Sequence, residues 1–299
     1  MRTRQSSASE VFHGLREAPD TAEITGAARE AFARGNPDVK LQRLVIVIAA
    51  YNEAANIGAV LDEIPDQIAD VAVSRLVIDD GSSDGTTAVA QRHGALVCTL
   101  SANRGHGVAL RLGYRIAREA GAEYIATLDG DGQWDPADLP AMVRLLEDGD
   151  ADFVVGSRQL GHTENTDRFR NLGVRFFAAL ISMLTHTRLT DTSSGLRAMR
   201  ADLTAVVHQT QPQYQTSELL IGALFQGFRV AEVPTTMRQR ISGVTKKGDN
   251  LFYGLRYARV IGRTWWRERG AARRSPGRIA PQVPGEPVPS SQLPEQPAS

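Results

Sequence analysis

The chain of 299 residues has a single cysteine, Cys98, and no net charge, with 34 lysines and arginines against 34 aspartates and glutamates. One thiol excludes an internal disulfide and any cysteine-based zinc cluster, and it fits a reducing, cytoplasmic location. Balanced charge gives no electrostatic reason to expect nucleic acid as a partner, and none is expected. No run approaches the roughly 20 apolar residues that a bilayer crossing needs. The polar start Met1-Arg2-Thr3-Arg4-Gln5 lacks the apolar stretch of a secretory signal. A cytoplasmic protein, soluble or attached peripherally at the inner face of the membrane, is therefore expected. An internal repeat is also missing, as is a Gly-x-x-x-x-Gly-Lys-Ser/Thr loop, which disfavours a P-loop nucleotide hydrolase.

What is present is a globular composition, 42% hydrophobic and 23% charged, with room for one large domain or two small ones. Residues 1–40 are polar and weakly patterned, and are expected to form a flexible leader with one short helix near 27–33. Residues 271–299 hold seven of the fourteen prolines; such a segment buries too little surface to fold and is expected to be a disordered tail. Between these ends, apolar runs at 44–50, 75–78, 95–99, 124–128, 153–156, 195–199 and 229–233 alternate with helical patterns at 55–64, 86–93, 107–120, 137–146, 168–186 and 218–226. Unbroken apolar strands separated by helices predict an α/β fold with a mostly parallel central sheet and helices on both faces. Ligands then belong in the loops beyond the C-terminal ends of the strands. The 168–186 segment, with Phe169, Leu172, Phe176, Phe177, Leu180, Ile181 and Leu184, reads as a core helix; a lipid-touching surface is the alternative.

Asp129-Gly130-Asp131-Gly132-Gln133 follows the apolar run 124–128, so two carboxylates emerge together where a buried strand reaches the sheet edge. Crowded carboxylates need a partner. Mg²⁺ is commonly held by one or two carboxylates plus substrate phosphates, which makes Asp129 and Asp131 candidate metal ligands; an ordinary Asp-Gly turn is the other reading. Asp79 and Asp80 close a strand in Asp79-Asp80-Gly81-Ser82-Ser83-Asp84-Gly85-Thr86. Their carboxylates suit a nucleobase N–H or a ribose hydroxyl, while Ser83 or Asp84 suits the cap of the next helix. Asn103-Arg104-Gly105-His106-Gly107 has the look of a phosphate loop, but it follows the third strand and not the first, where a dinucleotide site would place it.

In this order, Ala49-Ala50-Tyr51-Asn52-Glu53, the Asp79 loop, the Asn103 loop and Asp129-Gly130-Asp131-Gly132-Gln133 resemble the motifs of family 2 glycosyltransferases. The chain most resembles their dolichol-phosphate mannose synthase-like branch, which moves a sugar from a nucleotide donor to a polyprenyl phosphate. The likeness runs from about 44 to 247. Gly156-Ser157-Arg158, Asp191-Thr192-Ser193-Ser194-Gly195-Leu196-Arg197, Glu232-Val233-Pro234 and Arg238-x-Arg240-x-x-Gly243-x-Thr245-Lys246 are similar to the later blocks. The resemblance implies a GT-A-like domain over 41–248 and an inverting hexosyltransferase dependent on Mg²⁺ or Mn²⁺, with a UDP- or GDP-linked donor. It implies that Ala50, Tyr51, Glu53 and Asp80 hold base and ribose, and that Asp129, Gly130 and Asp131 meet the donor. Asp131 and Gln133 would sit on the metal, and Arg158, Arg240 and Lys246 would neutralise phosphates. Three departures stand out: Ala50 replaces a usual proline, Thr245 a common serine, and the membrane-spanning C-terminal helices of some members are absent.

A phosphate acceptor is already an anion and needs no strong base, whereas a sugar hydroxyl would need one, with Asp191 or Glu218 as candidates. Each also has an ordinary role, a turn cap for Asp191 and a solvated helix position for Glu218. A saccharide acceptor, a non-catalytic nucleotide-sugar-binding module and, more distantly, a nucleotidyltransferase are the alternatives. Residues 249–270 predict a basic amphipathic helix. Leu251, Leu255, Ala258, Ile261 and Trp265 form one stripe and Arg256, Arg259, Arg263 and Arg267 another, so it is either an interfacial anchor or a helix packed on the domain.

Overall fold

The computed structural model describes residues 19–164, 167–211, 213–240 and 250–274. Strand β1 (Leu44–Ala50) is buried along its whole length because alternate side chains feed two cores. Val45 and Val47 point into one, with Leu110, Ile181, Leu219 and Ile261. Leu44, Ile46 and Ile48 point into the other, with Ile57, Leu61, Met142 and Leu146. Burial of each such side chain contributes about 1.5–3 kcal/mol, so the unbroken apolar run is the signature of a strand covered on both faces.

Around β1 lie β2 (Gln67–Ile68), β3 (Val71–Asp79), β4 (Leu96–Thr99), β5 (Tyr124–Asp129), β6 (Phe153–Thr163), β7 (Arg197–Arg200) and β8 (Val230–Met237). The strand order is β2-β3-β1-β5-β7-β6-β8, with β4 also on β3. β1 runs parallel to β3 and β5, β3 to β4, and β6 to β8. β7 runs antiparallel to both β5 and β6, and β2 antiparallel to β3. The expected mostly parallel sheet is thus corrected to a mixed one. The antiparallel members are two and four residues long, and β7 buries Ala198 and Met199 as fully as the flanking β5 and β6 bury Ala126 and Val154, so its direction leaves no mark on the hydrophobic pattern.

The helices are α1 (Pro19–Gly35), α2 (Ile57–Asp62), α3 (Thr86–Arg92), α4 (His106–Glu119), α5 (Leu139–Glu147), α6 (Arg168–Thr185), α7 (Leu203–Val206), α8 (Gln215–Phe225) and α9 (Asn250–Arg274). The N-terminal segment departs from the flexible leader expected of it: α1 spans 17 residues, and Ala28, with Ile24 and Phe32 against it, joins the core that holds Val45. Helix α9 is present where the amphipathic pattern lies, and it packs inward through Tyr257, Val260 and Ile261. Both helices extend the folded body beyond 41–248. The Pro-rich tail from residue 275 onward, and Gly243, Thr245 and Lys246, lie outside the described residues.

Register fixes the site. Ala50 of β1 pairs with Asp79 of β3, and Ala49 with Asp129 of β5, so two acidic strand ends flank β1 at one edge of the sheet.

Candidate active site

The loop after β3 is built by its own carboxylates. Asp79 Oδ1 accepts the Ser82 N–H at 2.9 Å, and its Oδ2 accepts the Thr87 hydroxyl. Asp80 accepts the Arg104 and Gly105 amides at 2.7 and 2.8 Å, and burial raises its carboxyl above the ordinary range. Gly81 has φ +75°, and a Cβ there would lie 2.6 Å from the Ala102 carbonyl carbon, so only glycine lets the two loops touch. Asp79 and Asp80 are therefore buried braces of the 79–86 and 103–107 loops. The residue that caps α3 is Gly85, in a left-handed conformation and without a side-chain cap; Asp84, one position earlier, accepts the Thr86 N–H at 3.0 Å through Oδ1.

The segment after β1 is tied to this loop. Asn52, in a left-handed conformation at φ 51°, donates its N–H to Ser82 Oγ at 2.8 Å and accepts the Ser83 N–H at 2.9 Å. Ala50 is buried, and Tyr51 projects at the surface beside it. Glu53 turns inward, accepts the Asn56 amide at 2.6 Å and forms an ion pair with Arg240. Arg240 Nη1 also lies 3.7 Å from Asp131 Oδ2. Arg240 joins the β1 loop to the β5 loop through these two carboxylates.

Asp129 and Asp131 stand together at the end of β5. Burial, followed by the negative charge of Asp129, pushes the Asp131 carboxyl up to about 6, against the opposing pull of the Gln133 amide and Arg240. Asp129 Oδ2 accepts the Trp134 indole N–H at 3.0 Å, and His106 Nε2, in the first turn of α4, lies 3.8 Å from Asp129 Oδ1. A Cβ on Gly195 would fall 2.2 Å from Asp129 Oδ2, so the glycine there leaves Asp129 its room. The Gln133 backbone is fixed at both ends, its N–H on Asp131 Oδ1 at 3.2 Å and its carbonyl accepting the Arg238 N–H at 2.7 Å. Trp134 and His106 were not singled out by sequence reasoning; their signal was position, one directly after the acidic motif and the other inside the glycine loop.

Arg158 is expected as a phosphate ligand, and Asp191 as a base or an ordinary turn cap; in the structure Asp191 accepts the Ser193 N–H at 3.0 Å, as a turn cap does, and the two residues are each other's partners. They bind each other, Nε to Oδ2 at 2.5 Å and Nη2 to Oδ1 at 3.1 Å, and Asp191 is 0% exposed. The Arg158 guanidinium also lies 5.3 Å from the Trp134 ring centroid. Glu232 orders the turn that carries Asp191, accepting its N–H at 2.8 Å and that of Thr190 at 2.8 Å. Glu218 is neither a solvated position nor an open base. It is buried on α8, accepts the Thr210 and Gln211 amides at 2.8 and 3.0 Å, and pairs with Arg267 of α9 at 2.8 Å.

Among the described residues no three His, Cys, Asp or Glu side chains gather as a metal cage. Asp129 and Asp131 fit a divalent cation as a two-carboxylate half-site, which is the arrangement suited to an ion completed by substrate phosphates and water. Arg240 Nη1, 3.7 Å from Asp131, and the Trp134 indole N–H on Asp129 offset part of the charge of the pair.

Acidic strand ends and one bridging arginine thus gather at one edge of an α/β sheet. A model of glycosyl transferase family 2 matches residues 45–207, and the chain belongs to that family. It is 34% identical over 203 residues to a dolichyl-phosphate hexose transferase of Haloferax volcanii, covering 68% of this chain and 86% of the relative. It is 30% identical over 225 residues to a polyprenol monophosphomannose synthase of Mycolicibacterium smegmatis, covering 70% and 83%. Among solved structures, glucosyl-3-phosphoglycerate synthase of Mycobacterium tuberculosis with Mn²⁺, UDP and glucosyl-3-phosphoglycerate superimposes with a TM-score of 0.58 at 22% identity, covering 82% of this chain and 84% of that one. The fold is therefore GT-A-like.

Proposed function

We propose that this enzyme transfers a hexosyl group, with inversion, from a UDP- or GDP-linked donor to a polyprenyl phosphate, using Mg²⁺ or Mn²⁺ at Asp129 and Asp131. The carrying observation is that the Asp129–Asp131 half-site stands at the sheet edge while both candidate bases are buried and engaged. A sugar hydroxyl acceptor would require a base; Asp191 and Glu218, the two carboxylates suggested for it, are each 0% exposed. A phosphate acceptor brings its own negative oxygen. The names of the Haloferax and Mycolicibacterium relatives, a dolichyl-phosphate transferase and a polyprenol monophosphomannose synthase, point the same way.

A divalent cation bound here neutralises charge on the departing nucleoside diphosphate. The chain's own groups do the rest. Tyr51 and the braced 79–86 loop flank the nucleoside. Arg240, held between Glu53 and Asp131, moves onto donor or acceptor phosphate as those anions arrive, because a guanidinium binds phosphate in a two-pronged fashion. Lys246 adds a second cation in this reading. An acceptor phosphate oxygen then attacks the anomeric carbon as its bond to the diphosphate breaks, and the nucleoside diphosphate leaves.

Incubation with labelled UDP- and GDP-sugars, Mn²⁺ and a polyprenyl phosphate tests this directly. The expected result is label in the organic phase for one donor. Label that enters only water-soluble saccharide overturns the lipid acceptor, and donor binding without any turnover overturns the enzyme in favour of a binding module.

A further inference from the structure

Helices α6 and α9 lie side by side and run the same way. The Phe177 and Tyr257 rings meet edge-on at 4.6 Å, and farther along the Trp265 indole donates to the Leu184 carbonyl at 3.0 Å. Their inner faces join the domain core through Ala178, Ile181, Tyr257 and Ile261. Their outer faces are apolar where solvent-facing helices are normally polar. Among the described residues, five of the nine exposed large hydrophobic side chains belong to this pair: Leu172 at 65%, Phe176 at 60%, Met183 at 65%, Leu255 at 62% and Trp266 at 74%. On α6 the spacing 172, 176, 183 keeps them on one stripe. On α9 Leu255 and Trp266 share the outward arc with the exposed Arg256, Arg259 and Arg263.

The charge on this face has one sign. The sequence of α6 contains no acidic residue, and that of α9 contains only Glu268, which is buried against Arg267 at 2.9 Å. Beside Trp265, whose ring lies 4.8 Å from the Arg269 guanidinium, a cleft of about 410 Å³ opens between α6, α8 and α9, lined by Met183, His186 and Phe225. No described helix is long and apolar enough to cross a membrane.

We infer that the outer faces of α6 and α9 together form a docking surface for a bilayer rich in anionic phospholipid, lying in the interface with Phe176, Leu255 and Trp266 among the acyl chains. Apolar stripe and arginine row match the two layers of such an interface, acyl carbon and headgroup phosphate. A second copy of the chain would set arginine row against arginine row. The placement of the helices also matters: α6 follows the C-terminal end of β6, and Tyr257 of α9 donates its hydroxyl to the Thr192 carbonyl at 3.1 Å, in the turn beside Asp191. A membrane on this face lies beside the site that, on the reading above, takes a lipid phosphate.

Vesicle sedimentation of the full chain, without donor, acceptor or metal, tests the surface independently of that reading. Strong binding is expected to vesicles of mixed phosphatidylcholine and phosphatidylglycerol, with weak binding to phosphatidylcholine alone and loss in high salt. Arg256→Glu/Arg259→Glu/Arg263→Glu is expected to lower partitioning by at least about 100-fold, and Leu172→Ser/Phe176→Ser to weaken it with every arginine in place. Single Arg259→Glu and Leu172→Ser variants, both at solvent-facing positions, carry the test if the multiple variants fail to fold. Absence of binding to either vesicle, wild-type binding by the α6 variants, or a stable dimer that hides Trp266 would overturn the inference. Donor turnover onto a detergent-dispersed acceptor stays unchanged in these variants, which separates failure of the surface from failure of the chemistry.

Discussion

Arg158 and Asp191 form a two-pronged ion pair closed off from solvent, with the guanidinium beside Trp134. Removing one partner strands a buried charge, so Arg158→Met and Asp191→Asn are each expected to destabilise the fold by about 3–5 kcal/mol. The double variant should be less destabilised than the sum of the two. Denaturant melts of the four proteins measure this. An Asp191→Asn protein that keeps its stability and loses only transfer would restore Asp191 as a base.

Asp131 makes stability depend on pH. Its carboxyl titrates at about 6 in the fold against 3.8 in the open chain, so the folded state holds its proton more tightly. That contribution favours folding below about 3.8 and is lost as pH rises through about 6. Without metal, the melting temperature of wild type relative to Asp131→Asn is expected to fall over that window. Mn²⁺ competes with the same proton, and its affinity should rise as pH passes 6. Parallel pH and Mn²⁺ melting series give both results; an affinity that is flat in pH would remove Asp131 from the metal.

Trp134 acts on Asp129 through its indole N–H. Trp134→Phe keeps a large ring and deletes the donor, and orienting partners of this kind typically carry 10–100-fold in metal affinity or activity. A drop of roughly tenfold in Mn²⁺-dependent donor affinity is expected, read by calorimetric titration.

Gly195 sets a steric limit on the same carboxylate. A Cβ there would lie 2.2 Å from Asp129 Oδ2 and 2.7 Å from Trp134 Nε1, so Gly195→Ala must push Asp129 away from its place. The variant is expected to retain wild-type far-UV circular dichroism and to lose thermal stabilisation by donor and Mn²⁺. Retained stabilisation would place the metal elsewhere.

Much of this arrangement could be read from local pattern. The apolar run of β1 announced a strand buried on both faces, and Asp129-Gly130-Asp131 announced a charged strand end, because both are properties of contiguous residues. The direction of β7 was not legible, since a four-residue strand with three buried residues looks the same either way round. Nor was the bond between Arg158 and Asp191: each residue in isolation fits a catalytic role, and only their convergence on one buried point shows that each is the other's counter-ion. Glu218 is similar, because the arginine that answers it lies on α9. Helix α1 was undervalued for another reason: it is held by Ala28, Ile24 and Phe32 against the sheet and not by strong amphipathic patterning of its own.

That helix gives the chain's lone thiol a further use. Cys98, on β4, is buried under α1 with its Sγ 3.6 Å from the Ala28 carbonyl oxygen, and burial pushes the thiol up to about 12. Its reaction with a thiol reagent therefore waits on the lifting of α1 from the sheet. The rate of labelling at Cys98 thus times the opening of the amino-terminal helix, with no engineered cysteine to install and no second one to mask.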